Sequence, residues 1–309
     1  MLPFRLVYHE GYDLNLGDHI FPARKYRLIR DRLIEESLAR EEDFVEPSPA
    51  SAEQLRLVHS AEWIRKLETG TLTQQETARL GIPWSEKMVQ AFRLAAGGNI
   101  LAGRLALRDG VGFNVGGGFQ HGFCGYGEGF SAVNDVAVAI RTLQHEVNVK
   151  TAMVVDCDVH HGNGTATIFD GDDSVFTFSI HQFNNYPLAK PCSDLDIHLP
   201  DGADDTEYHA RLTEGLRLAF TRSHPELVVY VAGADPYFGD LLGGLTLTLD
   251  GLWKRDRLVI ETALRHGAAV VVTLGGGYAR QVLDTVAIHV NTARVIKEVL
   301  EAGRWQFGA

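Results

Sequence analysis

Short β-branched runs alternate along this chain with amphipathic segments of helical length, and this alternation restricts the fold more than any other feature. Apolar runs at Arg5–Tyr8, Thr151–Asp156, Val175–Ile180, Leu227–Val231 and Ala269–Leu274 each have the length of a buried strand. Helical spacing of apolar residues recurs over Pro22–Leu38, Ser85–Leu107, Val133–Leu143, Asp205–Phe220, Gly251–Leu264 and Thr285–Leu300. Strands of this kind joined by crossover helices form a parallel sheet, so the pattern predicts a layered α/β fold. The sequence contains no internal repeat, and Pro47-Ser48-Pro49 reads as a loop rather than a linker. With 309 residues and 45% hydrophobic content, one domain over 1–309 with a single sizeable core is expected.

Charge and cysteine content exclude several classes of function. The 40 acidic and 29 basic residues give a net charge of -11, the wrong sign for gripping a phosphate backbone, so no direct nucleic-acid partner is expected. The three cysteines, Cys124, Cys157 and Cys192, have neither the density of a disulfide scaffold nor paired metal-ligand spacing. That usage suits a reducing cytoplasm. Residues 1–12 lack a basic leader followed by an apolar stretch, and no later apolar run approaches the ~20 residues of a membrane span. A soluble, cytoplasmic protein is the expectation.

The 32 glycines cluster at Gly116 to Gly118, Gly122 to Gly129, Gly162 with Gly164, Gly233 to Gly244, and Gly275 to Gly277. In open α/β sheets, tight loops of this kind gather at the carboxyl ends of the strands. The most informative stretch is Val154-Val155-Asp156-Cys157-Asp158-Val159-His160-His161-Gly162-Asn163-Gly164, where an apolar strand runs directly into acids and imidazoles. On an extended chain Asp156, Asp158 and His160 would project to one side. Like charges so close need a cation or donors to compensate them, and a metal ion does this directly.

Taken alone, Asp158 reads as a turn cap and His160 as a core histidine. Asp235, which follows the apolar Leu227–Val231 run, offers the third ligand that a catalytic zinc site requires beside its open position. Zinc is the first expectation, and ferrous iron accepts the same oxygen and nitrogen donors. His121, in Gly116-Gly117-Gly118-Phe119-Gln120-His121-Gly122, titrates in the range useful to a general base. Tyr278, after Gly275 to Gly277, could donate a hydrogen bond to a developing oxyanion.

The Phe119-Gln120-His121 loop, Gly129-Phe130-Ser131-Ala132-Val133-Asn134-Asp135, the Asp156 to Gly164 segment, Gly233 to Pro236 and Gly275 to Tyr278 together resemble the histone deacetylase family, in the same order along the chain. The segments around Tyr8-His9 and a helical Leu57-Val58-His59-Ser60 extend the likeness over almost the whole chain. Gly81-Ile82-Pro83-Trp84-Ser85 and Ser193-Asp194-Leu195-Asp196-Ile197 look like the class IV branch and its bacterial relatives.

The resemblance implies one domain with a central, mostly parallel eight-stranded sheet flanked by helices, a fold shared with arginases. It implies zinc held by Asp158, His160 and Asp235, with His121 as general base and then acid and Tyr278 polarising the carbonyl. Gly129, Phe130 and Tyr186 would wall the acyl channel. Structural potassium would lie at the Asp156 to His160 backbone with Ser179-Ile180, and a second ion at Phe169 to Val175. The implied substrate is a lysine peptide carrying an acetyl or longer fatty acyl group, or a related acylated amine; the open rim that a protein deacylase needs favours a monomer, with an oligomer as the alternative.

The chain departs from the family where two adjacent histidines are usual, because Gln120 takes the first position. An amide cannot carry a proton charge, though its nitrogen could donate to Asp156, so a working but slowed enzyme is expected. Asn163 stands where an aspartate is common and raises the basicity of His121 less; Ser131 replaces a usual cysteine. An arginase-like reading fails for want of the extra aspartates of a two-metal site. Acetylpolyamine hydrolysis and a non-catalytic zinc-containing acyl-lysine binder remain as the alternatives.

Overall fold

The computed structural model describes residues 2–14, 16–146, 149–303 and 305; Met1 and 306–309, the ends of the expected 1–309 domain, lie outside them. The strands are β1 (Arg5–Val7), β2 (Phe44–Val45), β3 (Val111–Asn114), β4 (Ala152–Asp156), β5 (Val175–Gln182), β6 (Leu195–Leu199), β7 (Leu227–Val231) and β8 (Ala269–Thr273). They form one eight-stranded sheet in the order β2-β1-β3-β8-β7-β4-β5-β6. Every pairing is parallel, so the sheet is wholly rather than mostly parallel. Residues on both sides of β4, β7 and β8 are buried, as near-continuous apolar runs require.

Among the described residues, ten α-helices supply the crossovers and the outer layers: α1 (Lys25–Glu35), α2 (Ala52–Arg56), α3 (Ala61–Thr69), α4 (Gln74–Leu80), α5 (Glu86–Asp109), α6 (Asp135–His145), α7 (Asn163–Ile168), α8 (Asp205–Arg222), α9 (Leu249–Arg265) and α10 (Val282–Ala302). One group is built on α5, which packs against β1, β3, β8 and α6. A second runs α8, α9, α10, α1 in successive contact, with α8 on β5 and β6 and α9 on β8. The result is a single α/β domain with helices flanking the sheet.

The expected helices and strands are present with ends moved by a few residues, while β2, β3, β6 and the short α2, α3, α4 and α7 are additions. Leu57–Ser60 is not helical. It is the turn between α2 and α3, where the Ser60 hydroxyl accepts a hydrogen bond from Trp63 N at 3.2 Å and caps α3.

Within that turn, His59 is buried, its Nδ1 3.0 Å from Phe123 O, while its Nε2 accepts from Asn134 N at 3.1 Å. Burial pushes His59 down to about 4, and the acceptor role of Nε2 requires the neutral ring. A folded-state value below the ordinary ~6.5 means that this stability is present above pH 6.5 and is lost as pH falls towards 4, about 3 kcal/mol over the window. Urea denaturation of the parent and His59→Gln at pH 7 and pH 4.5 should show a smaller pH-dependent loss in the variant. Equal losses would remove His59 as the source.

Candidate active site

Strands β3, β8, β7 and β4 are neighbours at the centre of the sheet, and the loops leaving their carboxyl ends converge. The loop after β3 carries Gln120 and His121, that after β8 carries Tyr278, that after β7 carries Asp235, and that after β4 carries Asp158 and His160. Parallel connectivity places all four loops on one edge, where open α/β sheets bind their ligands.

The extended geometry expected for Asp156, Asp158 and His160 ends at Asp156, the last residue of β4. Beyond it the chain turns, and hydrogen bonds rather than strand alternation gather the three side chains. Asp156 Oδ1 accepts from Asp158 N at 3.0 Å, and Asp158 Oδ1 accepts from His160 N at 3.0 Å. Asp158 Oδ1 lies 2.9 Å, and Asp235 Oδ2 3.2 Å, from His160 Nδ1. Asp235 Oδ1 accepts from Val159 N at 2.9 Å, which ties the loop after β7 to the loop after β4. Gly276 N donates to Asp158 Oδ2 at 2.7 Å, and a Cβ at that glycine would stand 1.9 Å from Asp235 Oδ2. Only glycine fits there.

These buried groups compete for protons. Burial pushes Asp235 up to about 7, reinforced by the Asp158 carboxylate, and raises Asp156 well above the ordinary range for the same two reasons. Against its own burial, His160 is raised to about 10 by its hydrogen bond to Asp158 and by the nearby Asp235 carboxylate, and it in turn holds Asp158 below the usual carboxylate range despite burial. Asp156 Oδ2 and Asp235 Oδ2 are buried without a hydrogen-bond partner. A divalent cation at this point would pair with the carboxylates and take the nitrogen that now shares their proton, so the donor set fits a metal. His121, Asp158 and His160 each place one candidate ligand atom within 4.8 Å of the others.

His121 is buried, and Asn134 and Asp135 fix its loop. Asp135 accepts from Gly118 N at 2.9 Å and Phe119 N at 2.7 Å, while Asn134 Nδ2 donates to Gly122 O at 3.1 Å and its Oδ1 caps α6. Burial and the positive charge of His160 push His121 down to about 4, so its ring is neutral at pH 7. Its Nδ1 lies 2.7 Å from Asn163 Oδ1, and Asn163 Nδ2 donates to Glu128 Oε1 at 2.6 Å. Glu128 only accepts, so Asn163 must turn its amide N–H to Glu128 and its oxygen to His121. His121 therefore carries its proton on Nδ1, leaving Nε2 free as a base.

Glu128 also accepts from Tyr186 Oη at 2.8 Å, and the Tyr186 ring stands edge-on to His121 at 5.1 Å. The sequence reading missed Glu128, whose partners are 35 and 58 residues away along the chain.

Gln120 is buried and lines the small cleft with His121, Asp158 and His160, but the expected donation to Asp156 is not made: Asp156 Oδ2 has no hydrogen-bond partner. Tyr278 is held by Asp240, also absent from the sequence reading, through a 2.6 Å hydrogen bond from Tyr278 N to Asp240 Oδ2. Above these groups a cavity of about 320 Å³ is lined by His121, Gly129, Phe130, His160, Tyr186 and Tyr278, among others. Gly129 has φ 54°, and a Cβ there would meet His121 at 2.8 Å. Phe130 follows with φ 63°, a strained value for an aromatic residue that a 2.9 Å bond from its N to Leu80 O helps to maintain.

The Histone deacetylase domain family matches residues 19–294. The chain belongs to the histone deacetylase family. Among its relatives, an uncharacterized protein of Picosynechococcus is 41% identical over 96% of this chain and 99% of its own length. Histone deacetylase 2 of Arabidopsis thaliana is 29% identical over 96% of this chain and 77% of its own. The acetoin utilization protein AcuC of Bacillus subtilis is 28% identical over 88% and 76%. The crystal structure of a histone deacetylase homologue from Aquifex aeolicus superposes with a TM-score of 0.81 at 22% identity, covering 98% of this chain and 90% of that one.

Membership of the histone deacetylase family supports a deacetylase-type hydrolase. Among the described residues no helix is long and apolar enough to cross a membrane.

Proposed function

We propose that this protein is a zinc-dependent amidohydrolase that removes acyl groups from lysine side chains or related amines. The observation that carries the reading is the convergence of the Asp158 and Asp235 carboxylates on His160, which lines the 320 Å³ cavity together with His121 and Tyr278. Zinc held by Asp158, His160 and Asp235 would supply Lewis-acid polarisation of the acyl carbonyl and acidify water there. His121 Nε2 takes the proton from the attacking water and delivers it to the departing amine. Tyr278 donates its phenol hydrogen bond to the carbonyl oxygen as negative charge develops. Gly129, Phe130 and Tyr186 wall the acyl-bearing chain and exclude water.

Structural potassium is proposed beside Asp156 and Ser179-Ile180. Asp156 and Ser179 are register partners on β4 and β5, and the unpartnered Asp156 Oδ2 suits a hard cation. The second potassium would use the turn over Phe169–Val175.

The test is turnover of zinc-loaded protein on matched acetyl-lysine peptide, long-chain acyl-lysine peptide and acetylpolyamine, with Gln120→His alongside. Hydrolysis of an acyl-lysine peptide is expected, rising about tenfold in Gln120→His, a fraction of the ~10²–10⁴ that general acid–base groups contribute. Preference for acetylpolyamine would select the small-amine alternative. Turnover only in the variant would make this chain a binder, and inactivity of both with zinc bound would overturn the reading.

A further inference from the structure

A second group of imidazoles lies one residue beyond His160, away from the proposed catalytic centre. Strands β5 and β6 pair in parallel with Ser179 opposite Asp196 and His181 opposite His198. The period of two therefore puts Ser179, His181, Asp196 and His198 on one face of the sheet. His161, in the turn after β4, swings over that face, its ring centroid 4.7 Å from His181, which is itself 4.8 Å from His198.

We propose that His161, His181, Asp196 and His198 form a second metal site, selective for a divalent transition ion such as zinc or cobalt. His161, His181 and Asp196 each place a donor atom within 4.8 Å of the other two. Two contacts are much closer: His161 Nε2 is 3.1 Å from Asp196 Oδ1, and His181 Nε2 is 2.8 Å from His198 Nδ1. Bonds of ~2.0–2.2 Å in a tetrahedral site set donors about 3.3 Å apart, so each pair needs only a slight opening to admit an ion. Three imidazoles and one carboxylate suit zinc, cobalt, nickel or copper and disfavour calcium and magnesium, which prefer oxygen.

Supporting hydrogen bonds orient the donors as metal sites require. Ser179 Oγ bonds His181 Nδ1 at 2.9 Å, turning Nε2 towards His198, and Asp196 Oδ2 accepts from Ser193 N at 2.9 Å, leaving Oδ1 for His161. His161 and His181 form a buried floor, while Asp196 is partly exposed and His198 exposed, which gives an ion its entry path. The nearby Lys190 ammonium does not occupy the site: it donates to the carbonyl oxygens of Phe183, Asn185 and Pro187.

Tag-free protein stripped with chelator and titrated with Co²⁺ in potassium buffer decides this, with bound cobalt counted per chain and folding followed by circular dichroism. The parent should bind two equivalents, and Asp158→Asn, His198→Ala and Asp196→Asn one each, with at least a tenfold weaker second equivalent in the last two. His198 is at the surface, so His198→Ala keeps the test valid should Asp196→Asn fail to fold. A single equivalent lost in His198→Ala but kept in Asp158→Asn would support this site and count against the catalytic one. Two equivalents in both His198→Ala and Asp196→Asn, or one equivalent lost only in Asp158→Asn, would overturn the proposal.

Discussion

Tyr278→Phe should lower kcat on an acyl-lysine peptide by about 10²–10³-fold, the loss typical of removing one oxyanion donor. KM and zinc content should stay within a few-fold, because the hydroxyl acts on charge that develops in the transition state. The structure gives the phenol the two properties the role demands. Burial, aided by Asp158, Asp235 and Asp240, raises Tyr278 well above its ordinary range, so it carries its proton at pH 7. Its backbone is fixed by Asp240, and Lys25, which donates to Gly275 O at 3.0 Å, braces the preceding glycine loop. Unchanged kcat in Tyr278→Phe would leave the oxyanion to the metal alone and remove Tyr278 from the chemistry.

The parts of this site legible in the sequence were those written contiguously. Asp156 to Gly164 and Gly275 to Tyr278 each follow an apolar strand directly, so strand end, turn and chemistry sit in one short window. Glu128 could not be read this way, because its meaning comes from Asn163 and Tyr186, which the fold alone brings to it. Asp240 is similar: a loop acid whose value lies in its bonds to Tyr278 N, Leu242 N and Gly243 N.

Among the strands, β3 (Val-Gly-Phe-Asn) is too short and β6 (Leu-Asp-Ile-His-Leu) too polar on one face to stand out, yet that polar face is what meets His181. The short helices α2 and α4 did carry a signal. Ser51 with Gln54, and Thr73 with Glu76, are reciprocal capping boxes, but five and seven residues are too few to show helical periodicity.

His121→Ala should cost about 10²–10⁴-fold in kcat/KM, the range for losing a positioned general acid–base group, with the zinc content of the protein unchanged. Because burial holds His121 below the ordinary histidine range, the acid limb of the parent's pH–rate profile should fall below pH 6.5. Glu128→Gln tests how that base is held. Glutamine can donate as well as accept, so the Asn163 amide loses its fixed orientation and His121 its single tautomer. The Glu128 charge also raises His121, so its removal should move the acid limb to still lower pH while kcat falls about tenfold. A shift of that sign separates Glu128 from a merely structural residue, whose loss would lower stability or zinc content and leave the limb in place. If the limb moves up instead, the His121, Asn163, Glu128 chain does not set the proton's position and the base must be sought elsewhere in the cleft.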